Sequence, residues 1–193
     1  MLRLADLENA LDAYDPLLGA HAARVAANAD AVAARLGWDE ERLGALRLGA
    51  VLHDVGKVNV RPEVLAKPGG LDESELAEIR AHPVEGVWIL AGVPSLVPAL
   101  PCVLFHHERW DGGGYPTRRA GTAIPGEGRV LAVVDAYDAM TSGRPYRAPL
   151  RQDDAIAEIE RCAGSQFDPD VVDAFLAALD AGEITRATTA VAA

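Results

Sequence analysis

The sequence predicts an all-α protein, a compact helical bundle interrupted by one long glycine-rich loop. Half of the residues are apolar while aromatics make up only 5%, and the abundance of alanine and leucine favours helices over a β-sandwich. Apolar residues recur at helical intervals along most of the chain. A length of 193 residues suits one domain with a substantial core. The expected organisation is a single domain over residues 1–180, with the small, polar residues 181–193 as a frayed tail.

Between Leu17 and Leu36, Leu18, Val25, Val32 and Leu36 mark one helical face, and Gly37 ends it. Asp39 is placed to cap a second helix that buries Leu43, Leu46 and Ala50 and runs to about Val55. That periodicity puts His53 and Asp54 on or beside the core face. Residues 61–71 read as a Pro/Gly-rich loop, after which Asp72 or Ser74 caps a helix reaching His82. Pro83 suits the first turn of a further helix, ending near Ala91. The uncharged stretch Ile89–Phe105 approaches membrane-span length, but Gly92, Pro94, Pro98 and Pro101 break it. It reads as two buried helices joined by a turn, the second delivering His106 and His107. Glu108 to Gly128 forms a loop with six glycines and two prolines, a length that in ordered domains usually marks function. Arg129 to about Thr141 is a buried helix carrying Asp135, and a last helical pair spans Asp153–Cys162 and Asp170–Leu179.

A net charge of −11 excludes a broad basic surface for polymeric nucleic acid. An anionic ligand must then be met locally, by metal ions or a few arginines. Cys102 and Cys162 have neither zinc-ligand spacing nor a disulfide framework, which fits a reducing compartment. The acidic start lacks the apolar core of a signal peptide. No membrane span is expected, and the expected location is cytoplasmic.

The chain holds five histidines, His21, His53, His82, His106 and His107. Taken singly, a histidine among apolar neighbours is more often a satisfied core residue than a ligand. Here His53-Asp54 and His106-His107 are adjacent pairs, and no histidine is left elsewhere. Asp135 sits in the apolar run VLAVVDAY, where burial without a partner is costly. Five imidazoles and the carboxylates Asp54 and Asp135 exceed the needs of one ion. They suit two divalent transition-metal ions, bridged by a carboxylate such as Asp54. The imidazole–carboxylate mixture fits iron or manganese first, with zinc, cobalt or nickel as alternatives. Such a pair of ions polarises a phosphoryl oxygen and activates water, so the expected reaction is hydrolysis of a phosphate ester.

The segment HDVGK, His53–Lys57, resembles the signature of the HD superfamily of metal-dependent phosphohydrolases, and HHERWDGGGYP, His106–Pro116, resembles the defining motif of its HD-GYP branch. The likeness extends through DPLLGAHAARVA, KPGGLDESE, His82–Gly86, DAYDAMTSGRPYR and GSQFDPDVV, covering roughly Asp15 to Leu179 in order. It implies a helical HD-domain bundle with an extended GYP loop. It also implies that His21, His53, Asp54, His82, His106, His107 and Asp135 ligate metal. Lys57, one of two lysines in the chain and one helical turn beyond His53, matches the residue that contacts the scissile phosphate. Gly114, Tyr115 and Pro116 match the segment lining the substrate cleft. Arg144 and Arg147 match basic residues that engage substrate phosphate or guanine, as a guanidinium fork can.

Glu108 and Asp111 fit ligand support or loop capping as well as direct chemistry. The glycines at 112–114 lack a following Walker lysine and fit a tight turn. Two departures stand out. Leu17 occupies a position where some family members carry a glutamate for a third ion, which favours two ions here. Gly143 stands where an acidic residue is more usual. The branch implies hydrolysis of cyclic di-GMP to pGpG or GMP, catalysed with Asp54 and Lys57, with a regulatory or diguanylate cyclase partner as an accompanying expectation. The alternatives are action on another cyclic dinucleotide or nucleotide, or a non-catalytic module that binds cyclic di-GMP or a partner.

Overall fold

Helix α1, Pro16–Arg35, and helix α2, Glu40–Leu52, form an antiparallel pair that opens the fold. The computed structural model describes residues 16–142 and 148–185. Helix α2 is capped as expected, with the Asp39 carboxylate accepting from Arg42 N at 2.9 Å. Then follow a 3-10 turn, Val55–Asn59, the short α3, Pro62–Leu65, α4, Glu73–Arg80, and α5, His82–Leu90. Asp72 and Glu75 close a reciprocal capping box on α4. After a 3-10 segment, Pro94–Ala99, comes α6, Leu100–Phe105. A further 3-10 turn, Gly121–Ala123, leads to α7, Gly126–Thr141, then α8, Gln152–Arg161, and α9, Pro169–Asp180. The described residues form no β-strand, and an all-α bundle is what the composition predicts.

Helix α7 is the centre of the bundle, packed against α1, α6, α8 and α9. Its Val130, Leu131, Val133, Val134 and Tyr137 are buried, joining Val25, Ala29 and Val32 of α1, Leu46 and Ala50 of α2, Ile159 of α8 and Phe175 of α9. Each of the valine, leucine, isoleucine and phenylalanine side chains contributes about 1.5–3 kcal/mol by leaving water. A smaller cluster of Leu52, Val55, Leu90, Leu96, Ala99 and Val103 ties α2, α5 and α6 together.

Four differences from the sequence expectation have physical causes. Helix α2 stops at Leu52 rather than Val55, because the chain tightens into a 3-10 turn that packs against the start of α5. The approach is so close that a Cβ on Gly56 would lie 2.0 Å from the His82 carbonyl oxygen. The stretch 89–105 supplies one α-helix, α6, preceded by the Pro94–Ala99 3-10 segment, since its prolines remove the amide donors of a regular helix. Helix α7 begins at Gly126, one turn earlier than Arg129. The chain past Asp180 stays packed through Thr185: Ile184 is buried, and Thr185 exchanges backbone hydrogen bonds with the Asn28 amide at 2.7 and 3.1 Å. The rest of the expected tail, 186–193, lies outside the described residues. Among the described residues no helix is long and apolar enough to cross a membrane.

Candidate metal centre

Helix ends deliver most of the ligand candidates. His53 terminates α2, Asp54 precedes the 3-10 turn, His82 opens α5, and His106 terminates α6 with His107 beside it. His21 and Asp135 come from within α1 and α7. The five imidazoles form a continuous chain, with ring centroids 5.5 Å apart for His21–His53, 5.0 Å for His53–His106, 5.2 Å for His82–His106 and 4.1 Å for His106–His107.

Two donor sets emerge, and Asp54 belongs to both. Asp54, His82, His106 and His107 each offer an atom within 4.8 Å of the others, and so do His21, His53 and Asp54. The Asp54 oxygens divide between them. Oδ1 lies 3.3 Å from His82 Nε2 and 3.9 Å from His106 Nε2, while Oδ2 lies 3.4 Å from His53 Nε2. Asp135 stands beside the second set, its Oδ1 3.2 Å from His21 Nε2 and 3.9 Å from His53 Nε2.

The donor chemistry fits cations. His53 Nδ1 lies 2.7 Å from Ala50 O, His82 Nδ1 2.7 Å from Ile79 O, and His106 Nδ1 3.0 Å from Val103 O. A carbonyl only accepts, so each Nδ1 carries the proton; burial keeps His82 and His106 neutral, each with an Nε2 lone pair turned inward, while His53, opposed by burial, is raised by Asp54 and Asp135. His82 Nε2 and His106 Nε2 then face one another at 3.1 Å, and Asp54 Oδ1 is buried without a hydrogen-bond partner. Converging lone pairs around an orphaned carboxylate oxygen repel each other unless a cation lies among them.

Ionisation follows the same division. Burial pushes the His106 imidazole well below its usual range and lowers His107 to about 4, so both are neutral near pH 7. Burial also opposes the charged form of His21, but hydrogen bonds to Asp135 and Asp138 outweigh it and raise the ring to about 9. Burial disfavours ionised Asp54, yet Lys57, His53 and His82 hold its carboxyl well below the usual range. Asp135 is likewise held down, against burial, by His21 and His53.

Lys57 does not share a continuous helix face with His53. The 3-10 turn eclipses positions i and i+3, so its Nζ sits 2.5 Å from Asp54 Oδ2.

The whole span from residue 6 to 171 matches the family model described as HD domain. The chain belongs to the HD-domain family. It is 40% identical over 176 residues to the cyclic di-GMP phosphodiesterase response regulator RpfG of Xanthomonas campestris pv. campestris, covering 90% of this chain and 46% of that protein. It is 36% identical over 173 residues to the 3'3'-cGAMP-specific phosphodiesterase 2 of Vibrio cholerae, covering 89% of this chain and 33% of the relative. The chain thus spans half or less of the length of these relatives. Among solved structures, the HD domain of the L. monocytogenes phosphodiesterase PgpH, crystallised with cyclic-di-AMP, superposes with a TM-score of 0.61 at 19% identity, over 94% of this chain and 99% of that one. That likeness establishes the fold.

In this HD domain the loop after His107 is held by its own carboxylates. Glu108 is buried, and its Oε1 accepts from Thr117 N at 2.6 Å and Thr117 Oγ1 at 2.7 Å. Asp111 caps Gly113 N at 2.9 Å and pairs with Arg109. Gly114 packs so tightly that a Cβ would meet Arg109 N at 2.4 Å, which lets Tyr115 N donate to His107 O at 3.1 Å. The Tyr115 ring stacks on His107 with centroids 4.8 Å apart and planes 25° apart, and Pro116 follows through a cis peptide. Arg144 and Arg147 lie outside the described residues.

A buried network behind His21 escaped the sequence reading. Asp138 accepts from His21 Nδ1 at 2.7 Å, from Arg24 at 2.6 and 2.9 Å and from Ser142 Oγ at 3.0 Å. The signal was present in DAYDAM, where Asp138 follows Asp135 by three positions on a helix that is otherwise apolar. A carboxylate behind an imidazole fixes its tautomer and orientation.

Proposed function

We propose that this HD domain is a metal-dependent phosphodiesterase acting on cyclic di-GMP, releasing pGpG, GMP or both. The observation that carries the reading is the placement of two histidine sets on opposite oxygens of Asp54. His82, His106, His107 and Asp54 would hold one divalent ion; His21, His53, Asp54 and Asp135 would hold the other. The imidazole and carboxylate donors favour iron or manganese and admit zinc, cobalt or nickel. When bound, two such ions supply Lewis-acid stabilisation of phosphoryl oxygens and make water nucleophilic near neutral pH.

The chain's own residues set the geometry of that chemistry. Backbone carbonyls hold the Nδ1 protons of His53, His82 and His106, and the neutral rings of His82 and His106 need neither rotate nor lose a proton from Nε2 to ligate. Lys57, paired to Asp54 in this structure, would exchange that carboxylate for an anionic phosphoryl oxygen and stabilise charge developing there. Tyr115, stacked on His107, and its neighbours Gly114 and Pro116 line the approach to the centre. The resemblance adds Arg144 and Arg147 as further contacts to phosphate or guanine. Among the described residues, no side chain in the site stands as a separate general acid.

Relatives of similar identity carry cyclic di-GMP and 3'3'-cGAMP in their names, so a 3'3'-cGAMP substrate is the second reading. The response-regulator designation of the Xanthomonas relative supports control by a further domain or a partner such as a diguanylate cyclase. The deciding experiment incubates metal-loaded protein with cyclic di-GMP, 3'3'-cGAMP and cyclic di-AMP and resolves the products. Chelator-sensitive formation of pGpG or GMP from cyclic di-GMP is expected. Equal turnover without metal, or no turnover of any cyclic dinucleotide, overturns the reading.

A further inference from the structure

Beside the metal centre, between α4 and the Tyr115 loop, lies an open groove of about 570 Å³. Glu73, Leu76, Ala77 and Arg80 line it from α4, and Tyr115 and Pro116 from the loop. Phosphodiester chemistry gives Glu73 and Arg80 no task. Two other acids of α4 are paired, Glu75 with Lys67 and Glu78 with Arg61. Glu73 and Arg80 form no side-chain hydrogen bond or ion pair among the described residues; Arg80 instead lies over the Tyr115 ring, its guanidinium carbon 5.5 Å from the centroid. Because Tyr115 stacks on His107, the groove leads directly off a candidate ligand.

Its chemistry is that of a base site and not of a phosphate site. A phosphate in the groove would face the Glu73 carboxylate, and only Arg80 would offset the repulsion. A flat, uncharged ring instead finds the Tyr115 side chain, which is stacked on His107 and overlain by the Arg80 guanidinium, apolar contacts at Leu76, Ala77 and Pro116, and polar groups of opposite kind at the two ends. Glu73 and Arg80 are seven positions apart on one helix, hence on the same face and roughly 10 Å apart along the axis. Guanine matches that pair. Its O6 and N7 accept both donors of an arginine fork, and its N1–H and N2–H donate to a carboxylate. Adenine presents a donor in place of O6 and lacks the paired N1–H and N2–H donors, so it loses the bidentate contact to Arg80 and offers Glu73 a single N6–H instead of two adjacent donors.

We propose that this groove is a guanine subsite, with Arg80 as its specificity-determining residue at O6 and N7 and Glu73 receiving the adjoining N1–H and N2–H edge of the base. The assignment rests on the cyclic dinucleotide phosphodiesterase reading. It accounts for recognition of the nucleobase, for which the metal ligands and Lys57 offer nothing.

The test is kcat/KM for cyclic di-GMP, 3'3'-cGAMP, cyclic di-AMP and bis(p-nitrophenyl) phosphate, on wild type, Arg80→Ala and Glu73→Gln at equal metal content. Arg80→Ala is expected to lower cyclic di-GMP turnover by about tenfold or more relative to cyclic di-AMP, the discrimination that one good arginine–guanine contact supplies. Glu73→Gln should move the same ratio in the same direction. A structural role for Arg80 would lower all four substrates together and leave the ratio fixed, which overturns the subsite. An unchanged cyclic di-GMP rate in Arg80→Ala also overturns it, with the phosphodiesterase reading intact. A wild type that cleaves the generic ester but none of the cyclic dinucleotides overturns the phosphodiesterase reading, and the subsite with it.

Discussion

His82 Nε2 and His106 Nε2 meet at 3.1 Å while each ring donates its Nδ1 proton to a backbone carbonyl. Two neutral imidazoles arranged in this way cannot hydrogen-bond to each other, because neither inward nitrogen carries a proton. Nor does either ring easily accept one, since burial lowers the affinity of both for a proton. The bundle thus holds two desolvated lone pairs together, an arrangement that a divalent cation relieves and that a proton relieves poorly. The packing of α5 and α6 against the smaller apolar cluster fixes this separation.

Protein purified without chelator is therefore expected to carry about two transition-metal ions per chain, as a shared carboxylate between two donor sets implies. Leu17 offers no ligating atom toward a third. Elemental analysis alongside protein concentration measures this. Full activity with a single ion, or saturation at three, contradicts the shared role given to Asp54.

Asp54→Ala removes the atom common to both sets and also the partner of Lys57. Turnover should fall by far more than the tenfold that corresponds to about 1.4 kcal/mol in the barrier, and metal content should drop for both ions together. Activity within tenfold of wild type at unchanged metal content refutes the assignment.

Cys102 provides the fold control for that variant. It is fully buried in the main core, and burial pushes its thiol well above the usual range. A raised thiol pKa means less thiolate at a given pH, and the thiolate is the reactive form. Native protein at pH 7–8 should thus leave Cys102 unmodified by a thiol reagent, with labelling appearing on denaturation. Rapid labelling of Cys102 in native wild type would show that the core opens more readily than its packing implies.

The sequence disclosed the bundle and the converging histidines for a definite reason. The ligand candidates at helix ends lie next to strong punctuation such as Gly56, Pro83 and the glycines after His107, so their positions could be read from capping and breaking signals. What stayed hidden depends on tertiary approach. The tightening of residues 55–59 into a 3-10 turn arises from contact with α5, and it transfers Lys57 from the neighbourhood of His53 to Asp54. Asp138 was missed because the apolar run around Asp135 explained α7 adequately as a core helix, and its partner Arg24 lies 114 positions away. The Glu73–Arg80 groove had no sequence signature at all: two charges on an exposed helix look like solvated surface until Tyr115 is placed against them.

Asp138 yields the sharpest test of how the second donor set is supported. Its carboxylate binds His21 Nδ1, which directs the His21 Nε2 atom toward Asp135 and His53, and Arg24 and Ser142 hold the carboxylate in place. Asp138→Asn keeps the size of the side chain and an oxygen able to accept from His21, but removes the charge that makes the ring a stronger donor toward metal. Loss of such a partner typically lowers metal affinity about 10–100-fold. The effect should fall on the ion held by His21 and His53, while the ion held by His82, His106 and His107 stays tight, since Asp138 contacts none of these three rings. Competition with a chelator of known affinity resolves the two ions. Selective weakening of one supports the positioning role; equal weakening of both assigns Asp138 to the fold as a whole, and unchanged binding of both removes it from the centre altogether.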